Sequence, residues 1–450
     1  MKKILIIILL SLTLFNCKKQ FDDNNKVSEE VAYQTADAYP GIILGMTKHF
    51  ATKSLYEIVR GPGLTAHELG NIGTFLTEPQ LETGGTALTP DNSSLTLLFK
   101  YLHSDRNISE KILANIDGVQ FDDPLKKVAY KAYAKFFNAI TTGYMAQYWE
   151  KVTEKNDPEN NAKFIDRATG LQNSVDLLDS AISDLNNNAG AEDIINNLVS
   201  YEFSFSDVLK AFKARYEIEL GHNQAAYDAA NSVDLTKRSV WSYDGGSIKN
   251  PVYENTIFPT AHARFRPIDS LGLLNNQMPE LTDKRNEFYL TYITNNPLWT
   301  GAYYQVDDPK GFWDTEATPI PVYLPGEMTL IKAEAKARMN QLPAAVTLIN
   351  EIRTKTTAND AFGVGAELSA WTGNATSQQD VLDEIYKNYA IELYMQGQRW
   401  PIHRRFYPNY LNNVVWNTVD VHSLERVNNF YPYPDTERAN NPNTPPDPAY

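Results

Sequence analysis

The chain has 450 residues, 55 of them acidic and 41 basic, for a formal charge of −14. It lacks the surplus of cations that phosphate backbones require, which excludes nucleic acid as a partner. Its one cysteine, Cys17, rules out an intramolecular disulfide, a CxxC redox pair and a cysteine zinc cluster.

Lys2 and Lys3 precede an apolar run from Ile4 to Phe15, the pattern of a signal peptide over residues 1–16. The run is shorter than the roughly 20 apolar residues that span a bilayer. Leu14-Phe15-Asn16-Cys17 resembles a bacterial lipobox, although Asn16 stands where a small residue is usual. Its sulfur would carry a diacylglyceryl group, and more than one acyl chain gives stable anchoring. Residues 17–26, including Asp22 and Asp23, are too polar to bury and read as a tether. The acidic pair is similar to the surface-export signal of bacterial lipoproteins. A lipid-anchored protein of the outer membrane, exposed at the cell surface, is expected. Residues 27–450 are expected to form one large helical unit.

Helical periodicity recurs in pairs. Leu125 to Glu150 places Ala129, Ala132, Phe136, Ala139 and Gly143 on one face, with Pro124 at the start, where a missing N–H costs nothing. Leu171, Val175, Leu178, Ile182 and Leu185 form a second such face. Asp207 to Gly221 and Gln224 to Val233 make a third pair, and Glu327 to Asn340 with the helix after Leu342-Pro343 a fourth. Val381 to Gly397 follows, with Leu382, Ile385, Tyr389 and Leu393 in register. Hairpins with small residues at their crossings predict a mostly all-α fold of tetratricopeptide-like repeats. Gly-, Pro- and Asn-rich insertions at about 56–94, 241–313 and 363–377 are expected to form an irregular second layer carrying the binding surface.

The C-terminal half resembles the SusD/RagB family. Leu330-Ile331-Lys332-Ala333-Glu334-Ala335 and Leu348-Ile349-Asn350-Glu351-Ile352-Arg353 are similar to its "L-x-x-A-E-A" and "L-[IL]-N-x-[IV]-R" helices. Glu392-Leu393, Gly397, Arg399-Trp400 and Arg404 resemble the next helix, and Asn429 to Asn443 the family's terminal segment. Gln396, Pro401 and Ile402 depart from the family pattern. The resemblance implies a helical lipoprotein acting as a lid on a SusC-like TonB-dependent outer-membrane transporter. It also implies capture of glycan, or of peptide or another oligomeric nutrient in some relatives.

The chain contains no GxSxG, HExxH, P-loop or GxGxxG, so no catalytic residue, metal site or cofactor is assigned. The sequence of His67-Glu68 begins like a zincin, but Asn71 occupies the place of the second histidine. Glu392 and Arg399 are read as structural charges two turns apart on one helix. A sugar site needs aromatic platforms beside amides and carboxylates. That chemistry points to Trp299, Tyr303, Tyr304 and Trp313 with Asn296 and Asp307, and secondarily to His67, Glu68 and Asn71. Two other readings remain open at this point: a surface hydrolase with an unrecognised carboxylate pair, and a helical adaptor that binds only protein.

Overall fold

The computed structural model describes residues 28–200, 202–256, 264–294, 298–300, 305–408 and 428–448. Cys17, the leader and tether, Asn296, Tyr303 and Tyr304 lie outside the described residues. Among the described residues no helix is long and apolar enough to cross a membrane.

The chain is mostly helical. Helix α1 (Tyr39–His49) runs through a π turn at Phe50–Ser54 into α2 (Leu55–Thr65), which is followed by the short α3 (Thr77–Thr83). Next come α4 (Ser93–Asn115), α5 (Pro124–Tyr148), α6 (Arg167–Asn187), α7 (Ala191–Val199), α8 (Phe205–Leu220) and α9 (Asn223–Asn231). After a long insertion follow α10 (Pro325–Arg338), α11 (Leu342–Thr354), α12 (Gln378–Glu392) and α13 (Arg399–Phe406). The predicted pairs are α5 with α6, α8 with α9, and α10 with α11. Their ends obey local chemistry: Asp123 caps α5 by accepting from the Leu125 amide at 2.9 Å, and Gly221 ends α8 in the left-handed conformation.

Packing follows chain order and then closes on itself. Helices α4, α5, α6, α8, α9, α10, α12 and α13 each touch the next, and α13 returns to α2, which lies against α4. Buried ion pairs sit between the hairpins. Glu327 of α10 holds Arg215 of α8 at 2.6 Å, and Glu334 of α10 holds Arg405 of α13 at 2.8 Å. Arg353 of α11 reaches Glu384 of α12 at 2.8 Å.

Three expectations are corrected. The 56–94 segment is irregular only over residues 66–92, because Gly61-Pro62-Gly63 lies inside α2 with Pro62 accommodated in the helix. Glu392 and Arg399 do not share a helix. Glu392 closes α12, the chain turns at Gly397 with φ +71°, and Arg399 opens α13. Both are nevertheless buried and bonded, Glu392 to Arg285 at 3.2 Å and Lys355 at 2.7 Å, and Arg399 to the Leu271 and Ala390 carbonyls. The N-terminal helices α1, α2 and α4, with no periodic run noted in the sequence, form the third departure.

The 241–313 insertion is irregular as expected, built from two-stranded ribbons and single turns. Strand β1 (Leu69–Asn71) pairs antiparallel with β2 (Phe265–Pro267). β3 (Leu298–Trp299) pairs with β4 (Gln305–Val306), and an Ile268–Val306 bridge joins the two ribbons. The 363–377 stretch carries no helix or strand.

Candidate ligand-binding groove

An open groove of about 560 Å³ lies where α1, the π turn, α2 and α4 meet the first part of the insertion. This is within the roughly 300–1,000 Å³ of small-ligand sites. Its helical wall follows from spacing. Lys48, Thr52, Tyr56 and Arg60 recur every four residues and line it, while Ile43, Met46, Phe50, Leu55, Ile58 and Val59 on the other side are buried. The π turn inserts one extra residue into this face, so Lys53 joins Thr52 at the wall. From α4, Ser93, Leu97 and Tyr101 present the same four-residue spacing. The insertion supplies Ser247, Lys249, Glu254, Asn255 and Arg264.

Charges in the floor are fixed by burial. Arg60 forks onto Glu57 at 2.7 Å and reaches Glu78 at 3.0 Å, while its guanidinium lies 4.9 Å from the Tyr56 ring centre. Burial is the largest single influence on Arg60 and opposes its charge, but Glu57, Tyr56 and Glu78 together outweigh it and hold the pKa above the ordinary value. Burial raises the Glu57 carboxyl although Arg60 pulls it down, and burial raises the Tyr56 phenol. At the rim, Arg264 lies 4.4 Å from the ring centre of Phe75, itself 52% exposed. This is cation–π geometry.

The residues singled out from sequence fall elsewhere. His67, Glu68 and Asn71 are buried, and none lines the groove. Glu68 accepts the Met395 amide at 3.0 Å and faces Arg399 at 3.7 Å, so it fastens the turn between α12 and α13. Asn71 accepts the Gly73 amide at 3.1 Å. Asp307 is buried and accepts the Ile293 amide at 3.0 Å, which pins the insertion. Burial pushes its carboxyl up to about 6. Trp313 is fully buried, with an edge contact to Phe312 at 6.3 Å, and is a packing residue. Trp299 alone of the described candidates is solvent-facing, at 55%. It stands on β3, one ribbon away from Arg264.

Among the described residues no group of three or more His, Cys, Asp or Glu side chains is placed to hold a metal. The groove's chemistry is that of recognition: hydroxyls, an amide, ammonium and guanidinium groups, and phenol rings. Sequence reasoning missed it because Gly61-Pro62-Gly63 read as a break. A signal was present in the four-residue recurrence of polar and cationic residues from Lys48 to Arg60.

Residues 306–447 match the SusD family, whereas comparison with curated proteins gives no match. Among solved structures the chain is similar to a SusD superfamily protein of Bacteroides thetaiotaomicron, with TM-score 0.69 and 15% identity over 92% of this chain and 100% of the other. A SusD superfamily protein of Bacteroides vulgatus gives TM-score 0.66 and 12% identity over 93% and 100%. A SusD-like carbohydrate binding protein of the same species gives 0.66 and 13% over 91% and 97%. These likenesses establish the fold, and the motif residues explain the sequence match, because Glu334, Arg353 and Glu392 are the buried charges that hold the hairpins together. Over residues 306–447 the sequence is that of the SusD family, and the architecture of the chain is similar to that of SusD-like proteins of known structure.

Proposed function

We propose that this protein captures an oligosaccharide at the cell surface and hands it uncleaved to a SusC-like TonB-dependent outer-membrane transporter, held to the membrane by a lipid on Cys17. The observation that carries the reading is the groove. It is concave, open, of ligand size and lined by rings beside hydrogen-bonding groups, which is what sugar faces and hydroxyls need. The carbohydrate-binding relative of the same fold supports the choice of ligand. Trp299 would offer a second stacking surface beyond the groove, for a chain longer than the groove holds.

The test uses the full-length protein purified in detergent. Calorimetry against oligosaccharides should give saturable binding, with the oligomers recovered at their original length. Shortened products would favour the hydrolase reading. Absence of binding to any glycan, with a co-purifying protein other than a barrel, would favour the adaptor. Cys17→Ala should release the protein from the membrane fraction of cells lacking the barrel partner, and its retention there would refute the anchor.

A further inference from the structure

The groove is positively charged in a protein that is not. With 55 acidic residues against 41 basic, an arbitrary concavity on this chain should be acidic. Five cations line this one, Lys48, Lys53, Arg60, Lys249 and Arg264, against two carboxylates, Glu57 and Glu254.

What matters is which of these charges are already spoken for. Arg60 is committed to Glu57 and Glu78. Lys249 is held by Glu316 at 3.0 Å and lies 3.6 Å from Glu254. The remaining three differ. Lys48 and Lys53 are exposed and form no ion pair among the described residues, and among those residues Arg264 pairs only with Glu78, at 3.9 Å, beyond hydrogen-bonding range. The helix wall thus offers two ammonium groups, and the insertion offers a guanidinium, with no carboxylate bonded to any of them.

Placing Lys48 and Lys53 five apart across a π turn sets like charges on the same groove wall, which costs stability unless something negative comes between them. A ligand made only of hydroxyls uses acceptors and donors alike and gains little from uncompensated cations. An acid group gains from all three, and in a concave site the field is focused rather than screened. Arg264 adds a planar fork suited to a carboxylate or sulfate. Tyr56 and Tyr101 in the wall supply the faces a sugar ring would meet. A long polyanion is disfavoured by the net charge of −14, so the ligand is a short oligomer.

We propose that the groove selects an acidic oligosaccharide, its carboxylate or sulfate held by Lys48, Lys53 and Arg264 and its rings by the tyrosines. This rests on the capture reading above and names the ligand class for the same site.

The experiment uses the full-length protein on an array of neutral, uronic-acid, sialylated and sulfated oligosaccharides, with calorimetry on an oligogalacturonide, a carrageenan oligomer and maltohexaose. An acidic oligomer should bind on the order of tenfold tighter than the neutral one. That advantage should shrink as salt rises from about 50 mM to about 500 mM. The double variant Lys48→Gln/Lys53→Gln, both exposed side chains, should melt no lower than the parent and lose on the order of tenfold for the acidic oligomer. Arg264→Gln should act in the same direction. Preference between the uronate and the sulfated oligomer identifies the acid group. If the neutral oligomer binds as tightly, or the lysine and arginine variants leave acidic binding unchanged, the inference is overturned while glycan capture stands. If no glycan of either kind binds, capture itself falls.

Discussion

Two tryptophans in one insertion have opposite surroundings, and their truncation should separate packing from recognition. Trp313 is fully enclosed, so Trp313→Ala leaves a cavity and should cost about 3–5 kcal/mol, visible as a clear drop in melting temperature. Trp299 is more than half exposed, and Trp299→Ala should change stability by no more than about 0.5 kcal/mol. If the two variants melted alike, this assignment would be wrong. Glu82 offers a pH-dependent counterpart. It is buried, one carboxylate oxygen has no hydrogen-bond partner among the described residues, and burial, opposed by a hydrogen bond from the Asn71 amide, pushes it up to about 7. A raised carboxyl binds its proton more tightly in the fold than in the unfolded chain, where a glutamate titrates near about 4.3. Its contribution is therefore complete below that value and lost as pH rises to about 7. Glu82→Gln removes the charge, so denaturation at pH 8 should show the variant more stable by at most about 4 kcal/mol. The gain should vanish near pH 4, and an equal difference at both values would contradict the assignment.

At the scale of elements, small residues decide how closely helices approach. A Cβ added at Gly143 of α5 would enter the ring of Tyr216 on α8. Alanine is favoured over glycine by about 1 kcal/mol in a helix, yet overpacking a close contact costs about 1–3 kcal/mol. Gly143→Ala should therefore be net destabilising in chemical denaturation, and a more stable variant would show that the helices can part. This same pattern explains what was legible. Where apolar and small residues recur on one face without interruption, as in α5, α6 and α8 to α11, the sequence predicts the element and its partner. Recognition failed at α2 because Gly61 and Pro62 disfavour helix locally, and only packing of the closed helical array overrides them. It failed at Glu68 and Asn71 because a polar side chain that satisfies a buried backbone amide looks, in one dimension, like one waiting for a ligand. The insertion is dense in aromatics, but the ring of Trp313 is spent on the core. Nothing local distinguishes it from Trp299.

At the scale of the molecule, the order of packing bears on cooperativity. An open solenoid contacts only its neighbours and loses stability piecemeal when shortened. Here the end of the chain is sewn into its beginning. Tyr431 bonds Thr65 of α2 at 2.9 Å through its hydroxyl and the Tyr148 carbonyl at 2.9 Å through its amide. The indole of Trp149 donates to the Pro432 carbonyl at 3.1 Å, and that of Trp400 to the Asn428 carbonyl at 2.7 Å. Tyr431 also packs on Trp400 with ring centres 4.4 Å apart. Removing residues 428–450 would strand two buried indole donors, each at about 1–3 kcal/mol, and empty the space filled by Tyr431 and Tyr433, both nearly fully buried. That sum is comparable with a whole domain's stability of about 5–15 kcal/mol. The intact chain should unfold in one transition, with circular dichroism and tryptophan fluorescence coincident. The chain ending at residue 427 should lose that cooperative transition altogether, N-terminal helices included. If α4 to α9 instead melted in the shortened chain as they do in the parent, the repeats would be acting as an open array, and closure through α13 and the C-terminal segment would have no energetic weight.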